Sequence, residues 1–138
     1  MMDFVGAKAA FFFGPMILTY LRDDFDGLPW RGRWDLPGGG REGDETPEAC
    51  LLRELDEEFG LVLPPDRLLY RVVLPSMTDP LRLSAFFGGY LSQGDIAAIR
   101  FGTEGQRWQM MEAEAFFSHA IAIPHMQSRA RDAFVALG

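Results

Sequence analysis

Cysteine is almost absent. Cys50 stands alone among 138 residues, so no internal disulfide can staple the chain, and a reducing compartment suits it. Long apolar runs are absent too. Nothing approaches the roughly 20 consecutive apolar residues of a membrane span, so no membrane partner is expected. The N-terminal run Ala9–Phe13 follows a single lysine, Lys8, but Gly14-Pro15 cuts it and no Ala-x-Ala cleavage site comes after. It reads as a strand and turn rather than a secretory signal, and the cytoplasm is the expected location. Basic residues are outnumbered by acids, 13 to 20, and are not clustered. A broad nucleic-acid-binding face needs such clusters. A small phosphorylated ligand stays open if a divalent cation intervenes. With neither internal repeat nor Ser/Pro-rich linker, residues 1–138 read as one domain, long enough to bury a proper core.

What the chain does have is local acidity. Residues 45–58 carry six acids and one base, so most of the net charge of −7 sits in 14 positions. Around them the pattern is mixed. Ala9–Phe13 and Met16–Arg22 read as strands joined at Gly14-Pro15, and 23–33 as a polar loop. Trp34–Leu36 reads as a short strand, and Gly38–Gly40 as irregular, because three glycines carry a large entropic cost in a regular element. Leu68–Leu74 and Leu81–Leu91 look like buried strands, and Arg107–Met111 like another. Asp95–Ile99 reads as a helical turn; Glu112–Ala120 and His125–Leu137 read as helices. The class is α/β, with a sheet between helices.

The acidic segment is a punctuated helix. Thr46 suits an N-cap, Pro47 the first turn and Gly60 the C-terminal stop. At 100° per residue Ala49, Leu52, Leu55 and Phe59 share the core side, and Glu54, Glu57 and Glu58 fall opposite, able to converge on one point. Asp56 points elsewhere, and Arg53 lies one turn from Glu57, placed to brace it. Converging carboxylates behind a glycine-rich loop suit a hard divalent cation such as Mg²⁺ or Mn²⁺.

From Gly39 the sequence GGREGDETPEACLLRELDEEFGL resembles the Nudix box, G-x5-E-x7-R-E-U-x-E-E-x-G-U with U aliphatic. Gly39, Glu45, Arg53, Glu54, Leu55, Glu57, Glu58, Gly60 and Leu61 fill every specified position. Trp34-Asp35-Leu36-Pro37 resembles the short strand that leads into the box. The resemblance implies an α/β/α sandwich with a mixed β-sheet. It also implies Mg²⁺- or Mn²⁺-dependent hydrolysis of a small nucleoside diphosphate derivative. Glu57 and Glu58 would be the principal metal ligands, with Glu54 a further ligand or the general base. A carbonyl of Gly38 or Gly39 would complete the set, while Glu45 and Arg53 would brace the loop against the helix. A Nudix-fold sensor that binds nucleotides without cleaving them is the other reading the resemblance allows, and a homodimer is compatible with it.

Outside the box, Glu104 resembles the acid that many relatives recruit from a later loop; Glu112 and Glu114 are lesser candidates. The loop DDFDGLPWRGRW offers Trp30 and Phe25 for stacking a base, and Arg31 and Arg33 for phosphate; Arg22 and Arg41 are further phosphate candidates. Trp108 and Phe86-Phe87 read as core. His119 and His125 lack metal-ligand spacing and read as surface residues. Cys50, with no adjacent base, reads as packing.

Overall fold

A mixed sheet with helices on both faces builds a three-layer structure. The computed structural model describes residues 3–138. Its strands are β1 (Phe4–Phe13), β2 (Met16–Leu21), β3 (Trp34–Asp35), β4 (Gly38–Gly40), β5 (Tyr70–Pro75), β6 (Leu83–Tyr90) and β7 (Arg107–Glu112). The helices are α1 (Pro47–Phe59), α2 (Gln93–Ala97), α3 (Ala113–Phe117) and α4 (Pro124–Leu137). The sheet is mixed: β1 runs parallel to β6, and the other strand-to-strand ladders among the described residues are antiparallel.

One irregularity creates the site. β1 and β2 pair only at Phe12–Ile17 and Phe13–Met16, beside the Gly14-Pro15 turn, and then diverge. Residues 34–40 fill the fork. β3 pairs the end of β2, and β4 pairs Gly6–Lys8 of β1. The glycine segment is therefore a strand and not the irregular loop expected from composition. The glycines are there for close approach. A Cβ on Gly38 would lie 2.1 Å from the carbonyl oxygen of Ala7, and one on Gly39 would lie 2.7 Å from the Glu54 carboxylate. The entropic cost of glycine is offset by contacts no other residue could make.

Helix α1 covers one face of the sheet, where Leu51, Leu55 and Phe59 join a core with Phe11, Leu18 and Phe87. Helices α3 and α4 cover the other, where Phe116, Met126 and Ala130 meet Phe12, Ile17 and Phe86. The result is an α/β/α sandwich with a mixed sheet. Each fully buried phenylalanine contributes roughly 1.5–3 kcal/mol of transfer free energy. Thr46 caps α1 by accepting from the Ala49 N–H at 3.1 Å, and Gly60 ends it with φ 65°.

Several boundaries differ from the sequence reading. β1 starts at Phe4, five residues early, because Ala7 and Lys8 continue the ladder with β6. β5 is an edge strand with alternating exposure rather than a buried one; a 3₁₀ turn over Pro65–Arg67 precedes it, and Pro75 ends it. α3 stops at Phe117, well short of Ala120. The α1 core stripe is rotated: Cys50 and Leu51 are buried, Ala49 is exposed and Leu52 only half-buried. That rotation carries Glu58 to the border of the core.

Candidate active site

Helix α1 presents its acids toward the end of β4, and two features bring further groups to them. The first is the chain after α2. Helix ends leave carbonyls without intrahelical partners. Here Arg100 N–H donates to Phe59 O at 2.8 Å and Gly102 N–H to Glu58 O at 2.9 Å. These bonds dock the 100–105 loop on the C-terminus of α1. Glu54, Glu57, Glu58, Thr103 and Glu104 then border one pocket of about 140 Å³. Thr103 had no signal in the sequence, since its place depends on that docking.

The second feature is Arg53. Its guanidinium contacts Glu45 at 2.7 Å, Glu54 at 2.9 Å, Glu57 at 3.1 Å and Glu42 at 3.3 Å, and donates to Gly40 O at 2.9 Å. One cation thus gathers both sides of the box and ties them to β4. Glu45 also accepts from the Glu42 N–H at 2.8 Å. Its hydrogen bond with Arg53 holds its carboxyl below the usual carboxylate range.

The three α1 carboxylates differ. Glu57 is open to solvent, its side chain 58% exposed. Glu54 is half-buried, and burial raises its pKa against the pull of Arg53. Glu58 is only 7% exposed and accepts from the Gly38 N–H at 2.8 Å. Burial pushes Glu58 up to about 8, although Lys8 and that N–H pull the other way. Among the described residues no three acidic, imidazole or thiol groups are already gathered closely enough to hold a metal ion. Arg53 bonds Glu54 and Glu57, and the Gly38 N–H donates to Glu58. The donor set nonetheless fits a hard cation: all oxygen, strongly anionic, with one member that burial leaves short of a counter-charge.

A buried polar network below β4 was not anticipated. Asp35 is 1% exposed. Its carboxylate accepts from Lys8 Nζ at 3.0 Å, Arg22 Nη1 at 3.1 Å and the Tyr20 hydroxyl at 3.2 Å. Lys8 Nζ also donates to Leu36 O at 3.0 Å. Burial alone would lower the lysine pKa, but Asp35, Tyr20 and Glu58 outweigh it and the ammonium is held charged. A lone lysine inside an apolar strand was the available signal.

The remaining candidates separate. Arg22 lines a cavity next to Glu104, with its guanidinium also bonded to Pro29 O at 3.1 Å. Phe25 lines the same cavity. Arg31 is exposed and paired with Asp24 and Asp26. Arg33 lies over the Trp30 ring, which meets His125 edge-on. Trp30 is half-buried and packs against the core beneath α3 and α4. Arg41 covers the Phe4 ring and donates to Glu45 O. Phe86 and Phe87 are fully buried, and Trp108 packs against the α1-side core. Glu112 and Glu114 are exposed, as is His125; His119 is half-buried against Trp34. Cys50 is buried, its thiol pushed up to about 11 by burial. Among the described residues no helix is long and apolar enough to cross a membrane.

The NUDIX domain family model matches residues 17–126, and the chain belongs to that family. It is 31% identical over 96 residues to an 8-oxo-dGTP diphosphatase of Haemophilus influenzae, covering 70% of this chain and 67% of that protein. Shorter matches are denser. An RNA pyrophosphohydrolase of Acidiphilium cryptum is 64% identical over 28 residues, and an 8-oxo-dGTP diphosphatase of Proteus vulgaris 60% over 30. Those alignments span only 17% and 27% of the relatives' lengths. In fold the chain is similar to the MutT protein from Methanosarcina mazei Go1, with TM-score 0.75 and 18% identity over 99% of this chain and 96% of that one. The NUDIX domain of Shewanella oneidensis NrtR, solved with ADP ribose, gives TM-score 0.73 and 20% identity over 100% and 90%.

Proposed function

We propose that the chain is a divalent-metal-dependent pyrophosphohydrolase that cleaves the diphosphate linkage of a nucleoside diphosphate joined to another group. The observation that carries this reading is the single pocket bordered by Glu54, Glu57, Glu58 and Glu104 at the end of the glycine strand. Its curated relatives, named 8-oxo-dGTP diphosphatase and RNA pyrophosphohydrolase, support hydrolysis of phosphate anhydrides.

Glu54, Glu57 and Glu58, with a carbonyl of Gly38 or Gly39, would hold Mg²⁺ or Mn²⁺, which when bound neutralises phosphate oxygens and acidifies water. Arg53 keeps Glu54 and Glu57 at the pocket and fixes Gly40 relative to α1. Glu54 or Glu104 takes a proton from the attacking water. Water adds to one phosphorus, the bridging P–O bond breaks and the bridging oxygen leaves on the other phosphate. The products are two phosphate monoesters and, at neutral pH, released protons. A cavity of about 310 Å³ along Gly39, Gly40 and Lys8, walled by Met77 and Met126 with Arg129 at its side, has the apolar lining a nucleobase needs.

A screen of nucleotides, sugar nucleotides, dinucleotides and oxidised nucleotides with Mg²⁺ or Mn²⁺ tests the reading, with phosphate released by added phosphatase as the signal. Glu57→Gln and Glu58→Gln should each lower turnover about a hundredfold or more while the chain stays folded by circular dichroism. Wild-type turnover in both variants excludes the assignment. Tight nucleotide binding without turnover by the wild type would favour a sensor, a reading kept in view by the ADP ribose complex of the NrtR domain.

A further inference from the structure

A cavity of about 280 Å³ adjoins the carboxylate pocket and shares Glu104 with it. The end of β2 and the 22–28 loop form its walls, with Gly105 closing one side. It is fastened to the Glu104 loop at three points. Gly105 N–H donates to Asp23 Oδ2 at 3.1 Å, Gln106 Nε2 to Arg22 O at 2.9 Å and Gln106 N–H to Leu21 O at 2.8 Å. The cavity is therefore built into the site rather than left between mobile loops.

Its chemistry differs from what a phosphate tail requires. Phe25 and Leu28 give it an apolar wall, and Phe25 is 56% exposed although no core contact requires an aromatic there. The charges at its rim are Arg22, Asp23 and Glu104. Arg22 already serves the buried Asp35, and the two acids outnumber it. A terminal phosphate entering here meets net negative charge. A neutral group with hydroxyls finds an aromatic face to lie on and acceptors for its hydroxyl protons. The apolar cavity along Gly39–Gly40 shares no lining residue with this one and adjoins the carboxylates through Gly39, where a Cβ would lie 2.7 Å from Glu54, rather than through Glu104.

Resting on the hydrolase reading above, we infer that the cavity of Phe25, Leu28, Asp23 and Arg22 is a second subsite that receives an uncharged, hydroxyl-bearing group on the far side of the scissile linkage. It selects against nucleoside triphosphates. The selection is a difference between two substrates, set as much by repulsion of the wrong one as by contact with the right one.

Matched pairs with a common base test this: ADP-ribose and ATP, UDP-glucose and UTP, GDP-mannose and GTP, each with Mg²⁺ and the whole chain. For at least one base, kcat/KM for the sugar compound should exceed that for the triphosphate about tenfold or more. Phe25→Ala and Leu28→Ala should lower kcat/KM for that sugar compound at least fivefold more than for its matched triphosphate. Both side chains leave the main core untouched, so folding is preserved. Triphosphates hydrolysed as well or better, or equal losses on both members of the pair, overturn the subsite while leaving the hydrolase standing. No turnover of any compound by the wild type overturns the hydrolase reading itself and the subsite with it.

Discussion

Two hubs hold the glycine strand, and they are built in opposite ways. Arg53 is one cation among four carboxylates, on the solvent side of α1, and it grips Gly40 at the end of β4. Asp35 is one carboxylate among two cations and a phenol, inside the fork of the sheet, and it and Lys8 grip Leu36 just before β4. Charge that water can reach is cheap to rearrange. The cations of the two hubs are about equally exposed, but the Asp35 carboxylate is out of reach of water, so it must be fully paired and then fixes one geometry. The Arg53 hub suits the proposed metal site, to which its anions would have to be released. The Asp35 hub suits a foundation.

Breaking the buried hub should have the largest effect on stability. Asp35→Ala leaves Lys8 and Arg22 facing each other without their shared acceptor, and the Tyr20 hydroxyl without its own. Loss of one member of a buried pair costs about 3–5 kcal/mol. Urea denaturation should show that loss, and a change below about 1 kcal/mol would mean the network contributes little.

The two hubs also explain what could be read from the sequence. The charged members of the Arg53 hub lie between Glu42 and Glu57: helix spacing pairs Arg53 with Glu57, the resemblance to the box adds Glu45, Glu42 carries no signal, and helix periodicity brings Glu54, Glu57 and Glu58 toward one pocket. The Asp35 hub joins residues 8, 20, 22 and 35. Their meeting depends on β1 and β2 diverging after two pairs, which no local pattern encodes. Composition misplaces Gly38–Gly40 for the same reason. Glycine propensity argues against a strand, and only the nearness of Ala7 and Glu54 makes the glycines necessary. The family resemblance points to Glu104 ahead of β7, whereas Thr103 and the cavity beside it depend on a loop docked through backbone bonds to α1. That Arg33 lies over the Trp30 ring is likewise invisible in the sequence.

Salt sharpens the contrast between the hubs. Arg53→Ala should cost about 1–2 kcal/mol at low ionic strength, since several partly exposed pairs and the bond to Gly40 are lost together. At 1 M salt the Debye length falls to about 3 Å, so the cost of Arg53→Ala should shrink while that of Asp35→Ala persists. Equal salt sensitivity of the two variants would show that both hubs are solvated alike.

The smallest effect lies on the acid side of the Arg53 hub. Glu45 has a folded pKa below its ordinary value of 4.5, chiefly through its bond to Arg53. A depressed carboxylate stabilises the fold above its unfolded pKa and loses that contribution as pH falls through the folded one. Wild type should therefore exceed Glu45→Gln in stability at pH 7 by about 1 kcal/mol or less, as a partly exposed pair allows. The gap should close as the pH is lowered below the ordinary carboxylate range. Urea midpoints of the two proteins at a series of pH values measure it. A gap that widens on acidification would mean that Glu45 is held by something other than its charge, and that the hub owes its geometry to the Gly40 carbonyl and the Glu42 N–H instead.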